Sequence, residues 1–325
     1  MRITITGGAG FLGQLVARRV LAGADVTVAG VTAPLERLTL LDLAAPAADI
    51  AADPRVVVRV GDLESLLATT EPADLVIHLA AVVSSAAEAD LDLGLRVNLG
   101  GTRAVLDACR AWGPTPTVVF SSSLAVFGED PFFPAPAVVT DDTLPRPQSS
   151  YGVQKFIGEQ LVADYGRRGL IRGRAVRLMT VTVRPGRPNA AASSFVSGIL
   201  REPLNGERAV CPVDPDTPLA VSSPRGSVTG LLAAAAAADQ EWGSRTAMNL
   251  PALVTTPREM AAALDRVSGQ DLSRLIDWRP DPAVQAIVGS WPARFDAERA
   301  RRLGLAPEES VDAIIQAYVE DQRSA

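Results

Sequence analysis

The chain has 325 residues, 47% hydrophobic and 21% charged, with a net charge of −6 and one histidine. This is an ordinary globular composition, long enough for a sizeable core; an acidic balance without a basic stripe argues against nucleic acid as a partner. No stretch approaches the roughly 20 uninterrupted apolar residues that span a bilayer, the strand-like opening leads us to expect no secretory leader, and lone His78 with isolated Cys109 and Cys211 leaves no metal-ligand spacing and argues against a Ser-His-Asp hydrolase. A reduced, cytoplasmic setting is expected.

Arg2–Thr6 is a β-branched run that predicts a first strand, followed at once by the turn Gly7–Gly13 and an apolar-periodic helix over Gly13–Ala22. Strand, glycine turn and helix in this order form a phosphate cradle. Gly7 permits the tight turn, Gly10 lets backbone approach a pyrophosphate, and Gly13 lets helix pack on strand. Phe11 and Leu12 lie where the helix's free N–H groups point at the anion. The spacing is G-x-x-G-x-x-G.

Further strand-like runs are Asp25–Ala29, Arg55–Val60, Asp74–Leu79, Thr117–Ser122 and Arg174–Val183, separated by helical patterns at Leu63–Thr69, Leu91–Trp112 and Ser150–Gly169. Such alternation predicts an α/β fold with a doubly wound parallel sheet, helices on both faces and the chemistry at its strand-end loops. From about residue 185 the alternation stops. The expected division is a dinucleotide-binding domain over 1–185 and a smaller substrate lobe over 186–325, with the chain free to cross back.

After Asp25–Ala29 a dinucleotide site normally places a carboxylate for the adenosine ribose. Here Gly30-Val31-Thr32 follows, and Asp42 lies too far along to be assigned that role. A 2′-phosphate would then meet no repulsion, with Arg37 as a candidate partner, so NAD and NADP both stay open. Asp62, followed by Leu63, offers an adenine acceptor or a helix N-cap, and the two are compatible. Ala80-Ala81-Val82-Val83-Ser84 is small enough for backbone, Ala80 included, to run beside a cofactor. His78 is read as structural, near the cofactor but not catalytic. Asn98 is either a solvated helix residue or one bonded to neighbouring backbone.

Ser121-Ser122-Ser123 ends the next strand, and Ser149-Ser150-Tyr151-Gly152-Val153-Gln154-Lys155 opens a helix with a serine N-cap. Tyr151 and Lys155, at i and i+4, share a face. An ammonium beside a phenol favours the phenolate, so Lys155 is expected to draw the Tyr151 pKa down from about 10 toward the working range of a general base. Lys155 can also bond the nicotinamide ribose, and Ser123 can donate to a substrate oxygen.

The glycine turn, Ser123, Tyr151 and Lys155 together resemble the extended short-chain dehydrogenase/reductase family, which includes nucleotide-sugar epimerases and dehydratases. Stretches such as His78–Ser84, Arg184–Phe195 and Trp291–Asp296 are similar to its bacterial dehydrogenases of four-carbon sugar acids. The resemblance implies Tyr151 as general base, Lys155 as its activator and ribose ligand, and Ser123 as substrate-oxygen donor. It also implies Gly7, Gly10 and Gly13 at the pyrophosphate and Asp62 with Leu63 at the adenine. Gly30 stands where this subgroup carries its ribose-binding acid. Oxidation of a sugar-acid hydroxyl to a 2-oxo acid with NAD or NADP is the expected reaction, nucleotide-sugar epimerisation or dehydration the alternative. A homodimer through Leu91–Trp112 and Tyr151–Gly169 is implied as well.

In the second half, Asn189–Phe195 leads into a helix to about Arg201, and its Asn189 and Ser193, with Ser84, are candidates to line a pocket for a compact polar ligand. Arg225, Arg187 and Arg294 are candidates to grip a substrate carboxylate, since a guanidinium binds one bidentately. Thr246–Leu250 reads as a strand of the small lobe, with helices at Thr256–Val267, Asp296–Leu303 and Ser310–Asp321.

Overall fold

The computed structural model describes residues 1–130, 132–186 and 191–323. In chain order its strands are β1 (Arg2–Thr6), β2 (Asp25–Val28), β3 (Val31–Pro34), β4 (Arg37–Asp42), β5 (Val56–Val60), β6 (Leu75–His78), β7 (Thr117–Ser123), β8 (Arg172–Leu178), β9 (Thr180–Val181), β10 (Ala209–Cys211), β11 (Leu219–Ser222), β12 (Met248–Asn249), β13 (Leu253–Thr255) and β14 (Ile276–Trp278). The helices that matter here are α1 (Phe11–Leu21), α2 (Ala48–Ala51), α3 (Leu63–Leu67), α4 (Ser84–Ala89), α5 (Leu91–Gly94), α6 (Gly101–Trp112), α7 (Ser150–Arg167), α8 (Ser194–Leu204) and α9 (Pro224–Ala236).

Seven strands form one sheet in the order β12-β8-β7-β6-β1-β4-β5, with every pairing parallel. Covered on both faces, its central strands are continuous apolar runs: Leu75, Val76 and Ile77 of β6 and Leu38, Leu40 and Leu41 of β4 are all buried. This is the doubly wound parallel fold expected from the sequence.

Three strand assignments change. Asp25–Ala29 does not enter the sheet. It pairs antiparallel with Val31–Pro34, because Ala29 (φ 48°) and Gly30 (φ 80°) make a two-residue turn of left-handed conformation between Val28 and Val31. The sheet position beside β1 goes to β4, whose Leu38–Leu41 run supplies the burial that the half-exposed hairpin lacks. At the far edge, Met248–Asn249 joins β8 rather than the small lobe. The long run Arg174–Val183 divides too: β8 stays in the main sheet, while β9 pairs with β11 of a three-stranded sheet.

Two main cores result. One gathers Ile3, Ile5, Val16, Leu38 and Ile77 with Leu231 and Ala234 of α9 and Met248, so the chain does cross back to the sheet after residue 185. The other gathers Val196, Ile199, Val221, Met260, Leu264 and Ile315 in the C-terminal half. Full burial of each such aliphatic side chain contributes about 1.5–3 kcal/mol. The cleft between β-strand ends and the second core holds the polar groups.

Candidate active site

The glycine turn is shaped by contact. A Cβ on Gly13 would lie 2.1 Å from the Gly7 carbonyl oxygen, and one on Gly7 would meet the Ala80 nitrogen at 2.8 Å. Gly10 is the N-cap of α1 and offers no side chain to its amides, and no acidic residue sits in the first turn. The N–H groups of Phe11 and Leu12 therefore open a positive helix end onto the cleft. A Cβ at either glycine would force this turn apart, and the free N–H groups it presents suit a diphosphate.

Asp42 ends β4 beside it. Its Oδ2 accepts from the Ala9 N–H at 2.9 Å and its Oδ1 from the Leu43 N–H at 2.6 Å. It is a carboxylate at the end of the strand that pairs with β1. Gly30 lies instead in the turn of the β2–β3 hairpin, outside the main sheet. Arg37 stands at the opposite end of β4 and pairs with Glu71, away from the cleft. Asp62 caps α3, accepting from the Ser65 N–H at 3.2 Å at the end of β5, with Leu63 next to it.

Tyr151 is brought to β7 by another close approach. Ser149 caps α7, its Oγ accepting from the Gly152 N–H at 3.2 Å, and a Cβ on Gly152 would lie 2.1 Å from the Ala125 oxygen. Only glycine lets this first turn press on the segment after Ser123. Ser123 and Tyr151 consequently face each other, and the hydrogen bond between them favours the phenolate, as does the charge of Arg184. Burial outweighs both and pushes the Tyr151 hydroxyl up to about 12. The expected lowering by Lys155 is not found. The Lys155 ammonium donates to the Ser121 carbonyl at 2.8 Å and lies 5.6 Å from the Tyr151 ring centroid. Burial pulls Lys155 itself down to about 8.

The loop after β6 is held by Asn98. The helix predicted over Leu91–Trp112 is interrupted by a wide π turn, Leu95–Gly100, which turns this residue inward. Its Oδ1 accepts from the Val82 N–H at 2.8 Å, and its Nδ2 donates to the Val82 carbonyl at 3.1 Å and to Gln154 Oε1 at 2.7 Å. Asn98 thus ties the loop to α7. His78 is structural: it lies between the Thr6 and Thr102 hydroxyls at 2.6 and 3.1 Å, and burial lowers it to about 3, so it is neutral.

Gly7, Gly10, Phe11, Leu12 and Gly13 share one cleft of about 300 Å³ with Ser84, Ser123, Tyr151, Lys155, Ser193 and Arg184. Trp291 closes one side. A larger depression of about 1090 Å³ beside Trp242 and Arg299 contains none of these groups. Ser84 accepts from the Ala192 N–H at 3.1 Å, joining α4 to the segment before α8. Asn189 and Arg187 lie outside the described residues. Arg225 does not reach the cleft: it is exposed on α9 and paired with Asp321 at 2.5 Å and Glu320 at 3.7 Å. Arg294 is exposed as well. The cleft arginine is Arg184, which sequence reasoning passed over although it directly follows the long run Arg174–Val183. Among the described residues no group of three or more His, Cys, Asp or Glu could hold a metal ion.

Residues 3–217 match the model of the NAD dependent epimerase/dehydratase family. The chain belongs to this family. It is 49% identical to D-erythronate dehydrogenase of Cupriavidus necator over 99% of this chain and 98% of that protein. It is 40% identical to D-erythronate dehydrogenase of Haemophilus influenzae over 98% of this chain and 99% of that one. Among solved structures, the nucleoside-diphosphate-sugar epimerase from Agrobacterium tumefaciens superposes with a TM-score of 0.89 at 39% identity, covering 100% of this chain and 95% of that one. L-threonine 3-dehydrogenase from Trypanosoma brucei shares the fold, with a TM-score of 0.82 at 23% identity over 98% and 96% of the two chains. The sequence resemblance to extended short-chain dehydrogenases holds over nearly the full length. As a member of the family, the protein is a nicotinamide-dependent dehydrogenase, and no helix among the described residues is long and apolar enough to cross a membrane.

Proposed function

We propose that the enzyme oxidises the hydroxyl next to the carboxylate of a small sugar acid, D-erythronate or a close analogue, to the 2-oxo acid, with NAD preferred over NADP. The observation that carries this reading is Arg184. A half-buried guanidinium shares a cleft of about 300 Å³ with Tyr151, Ser123 and Lys155. A carboxylate on that guanidinium, gripped bidentately, sets the adjacent carbinol against the tyrosine.

Gly7, Gly10, Gly13 and the amides of Phe11 and Leu12 would hold the pyrophosphate, Asp42 the adenosine ribose and Lys155 the nicotinamide ribose. Asp62 and Leu63 would face the adenine, and Ala80 the strand of backbone beside it. When bound, NAD⁺ supplies the hydride acceptor. The protein's own part is positional and electrostatic. Ser123 donates to the substrate oxygen, and Tyr151 Oη takes the hydroxyl proton. Arg184 stabilises the phenolate that does so, and Ser123 bonds to it. Asp42 would repel a 2′-phosphate, which favours NAD. Ser84 and Ser193 offer hydroxyls for the remaining oxygens of a short polyol chain.

A nucleotide-sugar substrate is the second reading, since a relative at 39% identity carries that description. Against it stand the small cleft, Trp291 and the Ser84–Ala192 closure. Turnover of four- to six-carbon sugar acids, assayed separately with NAD and NADP through reduced-nicotinamide absorbance, decides between them. Growth of absorbance with a sugar acid and NAD supports the dehydrogenase. Conversion of a nucleotide sugar without added cofactor, with every acid inert, overturns it.

Assembly as a homodimer is proposed through the α5–α6 and α7 faces, where Leu91, Leu95 and Val153 are exposed around one shallow depression; light scattering tests it. Both cysteines are free and buried, which suits a reducing, cytoplasmic compartment.

A further inference from the structure

Lys155 is the only lysine in the chain. One helical turn beyond it on α7 lies Glu159, 2% exposed, which the proposed reaction does not use. A carboxylate is costly to bury unless its lone pairs are satisfied. Here Oε1 accepts from Ser122 Oγ at 2.5 Å and from Arg177 Nε at 2.8 Å, while Oε2 accepts from Arg177 Nη2 at 2.8 Å. Ser122, Arg177 and Asn249 are neighbours in register across β7, β8 and β12. Arg177 reaches the Asn249 Oδ1 at 3.4 Å, and its guanidinium lies 4.8 Å from the Phe127 ring centroid. The carboxylate is therefore anchored in the sheet rather than free on its helix.

The consecutive residues of the β7 end each meet a different position of α7. Ser121 accepts from Lys155 through its carbonyl, Ser122 binds Glu159, and Ser123 meets Tyr151. We propose that Glu159, clamped by Arg177 and Ser122, is a positioning residue that keeps Lys155 in its ammonium form and fixes the β7 end against the catalytic helix. Burial drives Lys155 toward its neutral form and the Glu159 charge opposes that. The other charged or titratable groups packed around it do not replace this anion. Tyr151 on α7 is a neutral phenol at working pH, and His78 on β6 is neutral. Arg177 on β8 and Arg184 after β9 are cations. Glu88 on α4 is turned to the Ser150 N–H at the N-terminus of α7, and Asp107 on α6 binds Tyr165 near its other end.

This inference rests on Lys155 belonging to the active site, but its test needs no substrate. Protein grown with lysine carrying ¹³C at Cε gives a single lysine signal, whose titration NMR follows in the full chain. The wild-type midpoint is expected near 8. In Glu159→Gln it should fall by about one unit, because a nearby opposing charge is worth roughly 1–3 units. In the double variant Glu159→Gln, Arg177→Gln it should fall less, since a nearby cation has gone too. A buried pair replaced as a pair usually leaves a folded protein, so the double variant decides the matter if the single one does not fold. Any purely structural role would lower the melting temperature and leave the lysine midpoint where it is. An unchanged midpoint in folded variant protein overturns the proposal. Failure of every sugar acid in turnover assays, by contrast, would overturn the proposed reaction and leave this titration standing.

Discussion

The two walls of the cleft are built differently. The cofactor wall is backbone: a glycine turn, a bare helix end and strand-end residues whose places follow from a parallel sheet. The opposite wall is side chain, assembled from Ser84, Arg184, Ser193 and Trp291, far apart in sequence. Backbone geometry repeats wherever the same strand, turn and helix recur. Side chains from distant segments meet only where the whole fold puts them. On the proposed function the first wall serves any nicotinamide chemistry, and the second selects what is oxidised.

The largest effect that would sharpen this contrast belongs to Tyr151, which stands where the walls meet. Tyr151→Phe should lower kcat/KM by about 10²–10⁴-fold, the usual weight of a general base, with NAD binding by fluorescence quenching unchanged. In the wild type the phenol is held up to about 12, so phenolate is scarce at neutral pH and the oxidation rate should climb with pH. Arg184→Met falls on the substrate wall and also removes a charge that favours the Tyr151 phenolate, so some loss of kcat should accompany its effect on KM. Loss of a charged hydrogen bond of about 1.5–3 kcal/mol predicts roughly a tenfold to hundredfold rise in KM for the acid, with the KM for NAD unmoved. A parallel rise in both would break the division of labour.

Asp42→Asn belongs to the cofactor wall. It should raise the KM for NAD by about tenfold, within the range for a charged hydrogen bond, and narrow the gap to NADP while the KM for the acid holds. Arg225→Ala should do least. Its ion pairs with Asp321 and Glu320 are exposed, so both KM values should stay within about twofold and stability within about 0.5 kcal/mol.

The same contrast explains what was legible in the sequence. Gly7, Gly10, Gly13, Tyr151 and Lys155, which share the cleft, are marked in the sequence by local signals: turn, cap and i, i+4 spacing. Asp42 was left unassigned because the Val26–Val28 run was read as the strand of the sheet, a place that Leu38–Leu41 takes. Only the left-handed pair Ala29–Gly30, folding the first back on itself, tells them apart. Arg225 was preferred over Arg184 because nothing local marks which guanidinium turns inward. The Tyr151 pKa was misjudged for a related reason: spacing brings a lysine near, but burial, invisible in a spacing, sets the larger shift.

The central claim is that Tyr151 acts on a substrate whose carboxylate Arg184 holds. Its most direct measurement is the steady-state NAD-dependent oxidation of D-erythronate and of the uncharged four-carbon polyol, by wild type and Arg184→Met. Wild type should prefer the acid by about a hundredfold, the scale of one charged bidentate contact, and the variant should lose most of that preference. An unchanged preference in the variant, or no reduced nicotinamide with either substrate, would contradict it.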